Sequence, residues 1–225
     1  MEWLSRLFPD VAAEPDALQQ AIIDTLSMFF TAAPMWFVLG LLIGLLLTVT
    51  RKGGLLPNRP VFEFFDKLIN LCRSIPFVIM IALLFPLTRL ISGTAIGVEG
   101  AIFPLVVGIT PFFSRQVESV FNGLRPTLIE SAESMGFGPL AIIWHVYLRE
   151  SIAGLARVTT ITCISFNSEI AVIGAIGAGG LGDYANRYGF ERNQLDVTVA
   201  AVIVLLVFIT IIQTIGTLIG RKNEH

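Results

Sequence analysis

The chain has 225 residues, of which 54% are hydrophobic and only 14% charged, with a formal net charge of −2; an ordinary soluble domain carries about a quarter charged residues. A water-soluble protein of this length cannot hide so much apolar surface, so composition selects an integral membrane protein. The mild acidity, with no basic tract, argues against a nucleic-acid partner.

Cys72 and Cys163 sit in no CxxC or Cys/His cluster, which suggests neither a metal site nor a disulfide framework and leaves both as small buried hydrophobes. No basic stretch followed by an apolar run opens the chain, so the first span is expected to direct insertion itself. Residues 1–20 read as an N-terminal extracytoplasmic arm: Met1–Phe8 can form a short surface helix through Trp3, Leu4, Leu7 and Phe8, or stay loosely ordered. Pro9, Pro15, Asp10, Glu14 and Asp16 argue against a span there.

Residues 21–222 read as one transmembrane domain, all-α, with five spans near 28–49, 72–90, 100–117, 152–176 and 197–219. About 20 apolar residues cross a hydrocarbon core, and Thr25–Thr50 carries no charge. Gly40 and Gly44 form a GxxxG pair that permits close helix contact. Residues 58–73 alternate Arg59, Glu63, Asp66, Lys67 and Arg73 with Phe62, Phe64, Phe65, Leu68 and Leu71, the pattern of an interfacial amphipathic helix leading into the second span. Pro104 and Pro111 inside the third span are tolerated where neighbouring helices satisfy the freed carbonyls. Residues 177–196, glycine-rich and charged, read as a long loop.

Between the third and fourth spans lies a polar island, Arg125–Arg149. Pro126 suits a first helical turn, and Leu128, Ile129, Ala132 and Met135 then share one face. Gly136 is placed to end that helix in the left-handed conformation. Gly138-Pro139 opens a second short helix, with Leu140, Ile143, Trp144 and Tyr147 along one face. Arg51, Lys52, Arg59, Lys67, Arg73, Arg125, Arg149, Arg221 and Lys222, with Arg115 and Arg157 at the border, lie on the island's side of the membrane; only Arg6, Arg89, Arg187 and Arg192 face the other. Basic loops stay inside, so the island is expected in the cytoplasm, the N-terminus outside and the C-terminus inside.

No GxxxxGK[ST] phosphate loop, HExxH, GxSxG or paired intramembrane carboxylates occur, and His145 has no evident metal partner. Neither a catalytic site nor a metal site is therefore expected. Glu169 is the one carboxylate deep in a span. Such residues are costly in lipid and face a cavity or a partner. With Asn167 and Ser168 it marks either a polar substrate path or an internal glutamate that is protonated or paired with Arg73, Arg115 or Arg157. The run Ala175–Gly182, AIGAGGLG, lacks the βαβ context of a nucleotide fingerprint; it reads as a helix break, a close packing site or a flexible loop.

Within the island, Glu130-Ser131-Ala132, Gly136 and Val146-Tyr147-Leu148 follow E-A-A, three residues, G, nine residues, I-x-L-P, with Ser131, Val146 and Arg149 departing from it. This resembles the EAA motif of ABC importer permeases. Further stretches, Arg73–Phe77, Pro86–Arg89 with Gly93-Thr94, Pro111–Glu118 and Gly177–Gly182, extend the resemblance over nearly the whole chain, to the permease subunits of the methionine-type uptake transporters. The resemblance implies an ABC type I importer transmembrane domain and a homodimer in the bacterial inner membrane. It also implies two cytoplasmic ATPase subunits holding ATP and Mg, and an extracytoplasmic binding protein.

It further implies that residues 125–149 form a coupling-helix loop, with Glu130, Ser131, Ala132, Met135 and Gly136 facing the ATPase. Where relatives carry a Tyr-Ser-Ala-Met-type stretch, this chain has Asn167–Val172. The solute is accordingly expected to be an amino acid, methionine or a related small zwitterion, with a different polar or cationic solute as the alternative. A secondary transporter would call for inverted repeats, which five spans do not display; a membrane protein without transport activity is the third reading.

Overall fold

The computed structural model describes residues 7–222, and every regular element among them is helical. The expected surface helix Met1–Phe8 lies for the most part outside the described residues. In chain order the elements are α1 (Pro9–Ala13), α2 (Pro15–Thr50), α3 (Arg59–Ser74), α4 (Phe77–Ser92), α5 (Gly97–Asn122), α6 (Pro126–Ser134) and α7 (Pro139–Ile142). A π-helical turn (Ile143–Leu148) leads on to α8 (Ile152–Ile173), which ends in a second π turn (Gly174–Ala178). Then come α9 (Gly180–Tyr184), a third π turn (Ala185–Phe190) and α10 (Leu195–Lys222). Four helices, α2, α5, α8 with its π turn, and α10, are long and apolar enough to cross a membrane; α3 with α4 makes a fifth if that broken pair counts as one.

The first helix starts earlier than expected. Pro15 needs no hydrogen-bond partner in the first turn and Asp16 complements the helix dipole, so Pro15, read as a breaker, is a helix start. The second span is divided at Ile75-Pro76: α3 is the amphipathic helix and α4 the apolar one, closed by Gly93 in the left-handed conformation at φ 72°. On the exposed face of α3, Arg59 Nε pairs with Glu63 Oε1 at 2.6 Å and Lys67 reaches the same carboxylate at 3.7 Å. Such exposed pairs are screened by solvent and contribute little to stability. Residues 177–196, expected as a loop, are largely helical, with Asn193 (φ 58°) turning the chain into α10.

The chain forms two compact units, and α2, α5, α8 and α10 each supply residues to both. The first comprises Met1–Met35, Ile75–Gly108 and Cys163–Ile212. Its core gathers Ala21, Leu181, Tyr184, Val197 and Ala201, and Phe29 packs on Phe166 and edge-on to Phe208 at 5.0 Å. Around it, Arg192 pairs with Glu14 at 3.0 Å and lies 4.3 Å above the Tyr188 ring.

The glycines of Ala175–Gly182 do two jobs here. Gly177, Gly179 and Gly180 take positive φ, breaking the helix, while Gly182 lies flush against the Ala171 backbone. The Leu181 amide donates to Thr25 Oγ1 at 2.8 Å. The flexible-loop alternative gives way to a close-packed corner, because only residues without Cβ let the two backbones meet.

The second unit comprises Trp36–Ser74, Ile109–Thr162 and Gln213–His225. Gly40 faces the Phe113 ring and Gly44 faces Val117 and the Ser114 carbonyl; a Cβ at either would come within 2.7 Å of them. The GxxxG pair is thus the groove that receives α5. Trp36 and Phe113 meet edge-to-face at 4.9 Å, and Phe37 stacks on Phe113 at 5.5 Å. Arg115 clamps α3 to α5: it donates to the Asp66 carboxylate, to Glu118 Oε2 at 2.7 Å and to Asn70 Oδ1 at 3.0 Å.

The Arg115 side chain is 20% exposed, so the clamp falls between surface pairs and buried ones. Arg115→Ala is expected to cost about 2 kcal/mol, read as a lowered thermal midpoint in detergent. Asp66→Ala added to it should cost little more, since both remove one interaction; a fully additive pair would show that Arg115 and Asp66 do not act together.

Candidate functional site

Two places carry polar or exposed chemistry that packing alone does not explain. The first is the island. Its first helix, α6, ends in a Schellman motif: the Phe137 amide donates to the Ala132 carbonyl at 3.1 Å and the Gly136 amide to the Glu133 carbonyl at 2.9 Å. This closure needs a left-handed residue, and Gly136 supplies it at φ +81°. Of the face expected to act as a unit, Ala132 is buried, whereas Leu128 and Met135 are exposed, Met135 at 69%. Glu130 and Ser131 are exposed beside them. Beyond the corner, Phe137, Leu140 and Trp144 are exposed as well, Leu140 at 81%.

The second face departs from the expectation. An α-helical reading put Leu140, Ile143, Trp144 and Tyr147 together. The π turn at Ile143–Leu148 adds a residue per turn, so Ile142 and Tyr147, five apart, point inward together instead. Both are buried, and Tyr147 meets Phe121 edge-on at 5.7 Å. Burial pushes the Tyr147 phenol above its ordinary range, with Arg51 pulling the other way. Leu140 and Trp144 are thereby left outward. His145 is held by the Ala141 carbonyl at 3.0 Å and stacks beside Phe137. No group of metal-ligating side chains occurs among the described residues. At Arg149, where the motif has proline, the backbone keeps helical dihedrals (φ −70°, ψ −46°), and a turn at Ser151 precedes α8.

The second place is the mid-span polar stretch. Consecutive helix positions are set apart by the helical turn and cannot share one face, and Asn167, Ser168 and Glu169 are separated accordingly. Asn167 is buried and its Oδ1 has no hydrogen-bond partner among the described residues. Ser168 is exposed and its hydroxyl leans on the Ile164 carbonyl at 3.5 Å. Glu169 places Oε2 where a Cβ on Gly108 would lie 3.2 Å away, beside the Phe77 ring; that oxygen is buried and makes no hydrogen bond among the described residues. Arg115, one of the partners considered for it, is committed to Asp66 and Glu118.

A cavity of about 440 Å³ is walled by α4, α5 and the broken end of α8, and Asn167, Ser168 and Glu169 do not line it. Sequence reasoning could not find it, because its wall is built of ordinary apolar residues such as Ala82, Phe85, Ala101 and Ile173.

Known proteins resemble this chain over most of its length. The sequence pattern of the family described as "Binding-protein-dependent transport system inner membrane component" matches residues 37–225. The chain is 39% identical over 214 residues to the probable D-methionine transport system permease protein MetI of Vibrio cholerae, covering 95% of each. It is 40% identical over 174 residues to the methionine import system permease protein MetP of Bacillus subtilis, covering 77% of this chain and 78% of that one. Its fold superposes with a TM-score of 0.91 on a chain of the MetNI methionine ABC transporter in an inward-facing conformation, at 36% identity and over 95% of this chain and 99% of that one. An amino acid ABC transporter solved with histidines, at 15% identity and a TM-score of 0.79, shares the fold. The chain is therefore a member of the binding-protein-dependent transport system inner membrane component family, a multi-pass permease subunit of the inner membrane.

Proposed function

We propose that this permease carries methionine or a related small zwitterionic amino acid inward as part of an ATP-driven importer. Two copies would enclose the path, two ATPase subunits would hold ATP and Mg on the cytoplasmic side, and an extracytoplasmic binding protein would deliver the solute. The N-terminus lies outside and the C-terminus inside in this reading, following the basic-residue bias. Residues 1–20 then belong to the outer side, the first of them as an arm, and residues 21–222 make the type I transmembrane domain with 125–149 as its coupling loop.

The observation that carries the proposal is the island's apolar tip. Met135, Leu140 and Trp144 are exposed on a rigid glycine corner outside the long spans. Polar water is a poor neighbour for three large apolar side chains exposed within ten residues, and exposed apolar patches mark partner sites. Glu130, Ser131, Ala132, Met135 and Gly136 form the docking element: Ala132 and Gly136 hold its shape, and Met135 with its exposed neighbours enters a groove on the ATPase. ATP-driven closure of the ATPases moves the two docking elements together and switches the path from inward- to outward-facing. Asn167, Ser168 and Glu169 mark the solute path.

The test is uptake of radiolabelled methionine into proteoliposomes holding the permease and its ATPase, with the binding protein outside. Accumulation that needs both ATP and the binding protein is the expected result. Accumulation indifferent to ATP, driven instead by an ion gradient, would overturn the reading in favour of a secondary transporter.

A further inference from the structure

Where α5 ends and α8 begins, the second unit holds a cleft of about 340 Å³. Ser119, Val120 and Leu124 line it from the α5 side, and Glu150, Gly154 and Arg157 from the α8 side. Its floor is apolar and tight: a Cβ on Gly154 would lie 2.7 Å from Val120 Cγ1, so the two helices touch there. Ser119, Glu150 and Arg157 are exposed around that contact.

The level of the cleft says what can reach it. Gly97–Asn122 and Ile152–Ala178 are each long and apolar enough to cross a membrane. One ends at the cleft and the other starts there, which puts the cleft at a single membrane surface, at the depth of the lipid headgroups. Arg157 stands on the second turn of α8, and a long cationic side chain at that depth extends toward the interface.

One guanidinium, one carboxylate and one hydroxyl therefore share an open cleft with an apolar floor. A bare phosphate would meet Glu150 as a like charge, and a bare amine would meet Arg157. A phosphate ester that also carries an ammonium suits both, because the planar guanidinium matches phosphate oxygens and the carboxylate accepts from the ammonium. At headgroup depth, beside Val120 and Leu124, that ester is the head of an ethanolamine phospholipid. We infer that this cleft is a headgroup site for such a lipid, with Arg157 and Ser119 on its phosphate and Glu150 on its ammonium. The inference goes beyond the importer reading and holds whichever solute the permease carries.

The test is native mass spectrometry of the delipidated permease–ATPase complex, titrated with phosphatidylethanolamine, phosphatidylglycerol and phosphatidylcholine of matched acyl chains. Phosphatidylethanolamine is expected to bind about fivefold more tightly than either of the others, the order of one charged contact at a membrane surface. Arg157→Gln should weaken all three lipids, which share the phosphate. Glu150→Gln should bring phosphatidylethanolamine level with phosphatidylcholine, whose quaternary nitrogen has no hydrogen to donate. Glu150→Lys should reverse the order in favour of phosphatidylglycerol, an outcome that a misfolded complex could not imitate. Soluble phosphoethanolamine in large excess should leave the lipid bound, since only the lipid also covers the apolar floor.

Equal binding of the three lipids to the unaltered complex would overturn the inference. So would a preference for phosphatidylethanolamine that survives both changes at Glu150. Displacement of the lipid by soluble phosphoethanolamine would overturn the lipid assignment and give the cleft to a water-soluble phosphate ester.

Discussion

Gly136→Val is expected to cut ATP-driven uptake by about tenfold or more while the chain still inserts and dimerises, because a β-branched residue forced to positive φ costs about 1–3 kcal/mol. The effect is conformational. A Cβ at position 136 would touch nothing within 4 Å, whereas the backbone there sits at φ +81°. Relief comes only by opening the Schellman closure, which frees the Ala132 and Glu133 carbonyls and turns Met135 and Phe137 away from their present directions. The island lies outside the long spans, so under the proposed coupling role the damage should be confined to communication with the ATPase. The measurement is methionine uptake alongside ATPase activity in the same proteoliposomes: ATPase activity should lose its stimulation by the loaded binding protein. Full uptake by Gly136→Val would show that the shape of the corner is irrelevant to transport.

Gly182→Ala should act on the fold itself. A Cβ at this position would overlap the carbonyl oxygen of Ala171 and lie 2.8 Å from its carbonyl carbon and 3.0 Å from its Cα, all backbone atoms that cannot rotate aside. Overpacking of this kind costs about 3 kcal/mol or more, here at the corner that holds α9 against α8. The thermal midpoint in detergent and the yield of monodisperse protein should both fall well below those of Gly220→Ala, whose added methyl meets nothing within 4 Å. Equal midpoints for the two variants would mean that the close approach of α8 and α9 is not needed in the folded protein.

The spans were legible because their signal is collective: long charge-free runs such as Thr25–Thr50 admit one physical solution. The glycine corner at 136 was legible for a local reason, a helix pattern meeting a residue suited to positive φ. The packing role of Gly40 and Gly44 could be suspected but not located, since a GxxxG pair does not name its partner; Phe113 and Val117 come from a helix far along the chain. The Arg115 clamp was hidden for the same reason. Asp66 and Asn70 precede Arg115 by more than forty residues, and each alone resembles a solvated polar side chain on an amphipathic helix.

The island's second face was misassigned because a π turn shifts register by one residue, and nothing in IWHVYL announces it. At the polar stretch, sequence adjacency suggested one site where helical geometry makes three environments: Asn167 is buried, Ser168 exposed, and Glu169 turned toward Gly108.

The replacement of the motif proline by Arg149 has a mechanical sequel. A proline there would interrupt the ladder of backbone hydrogen bonds and leave a swivel between the island and the span. Instead Arg149 keeps helical dihedrals and its amide donates to the Val146 carbonyl, a hydrogen bond that a proline could not make. Beyond it Gly154 is seated against Val120, where a Cβ would come within 2.7 Å, so the base of α8 has no room for a side chain against α5.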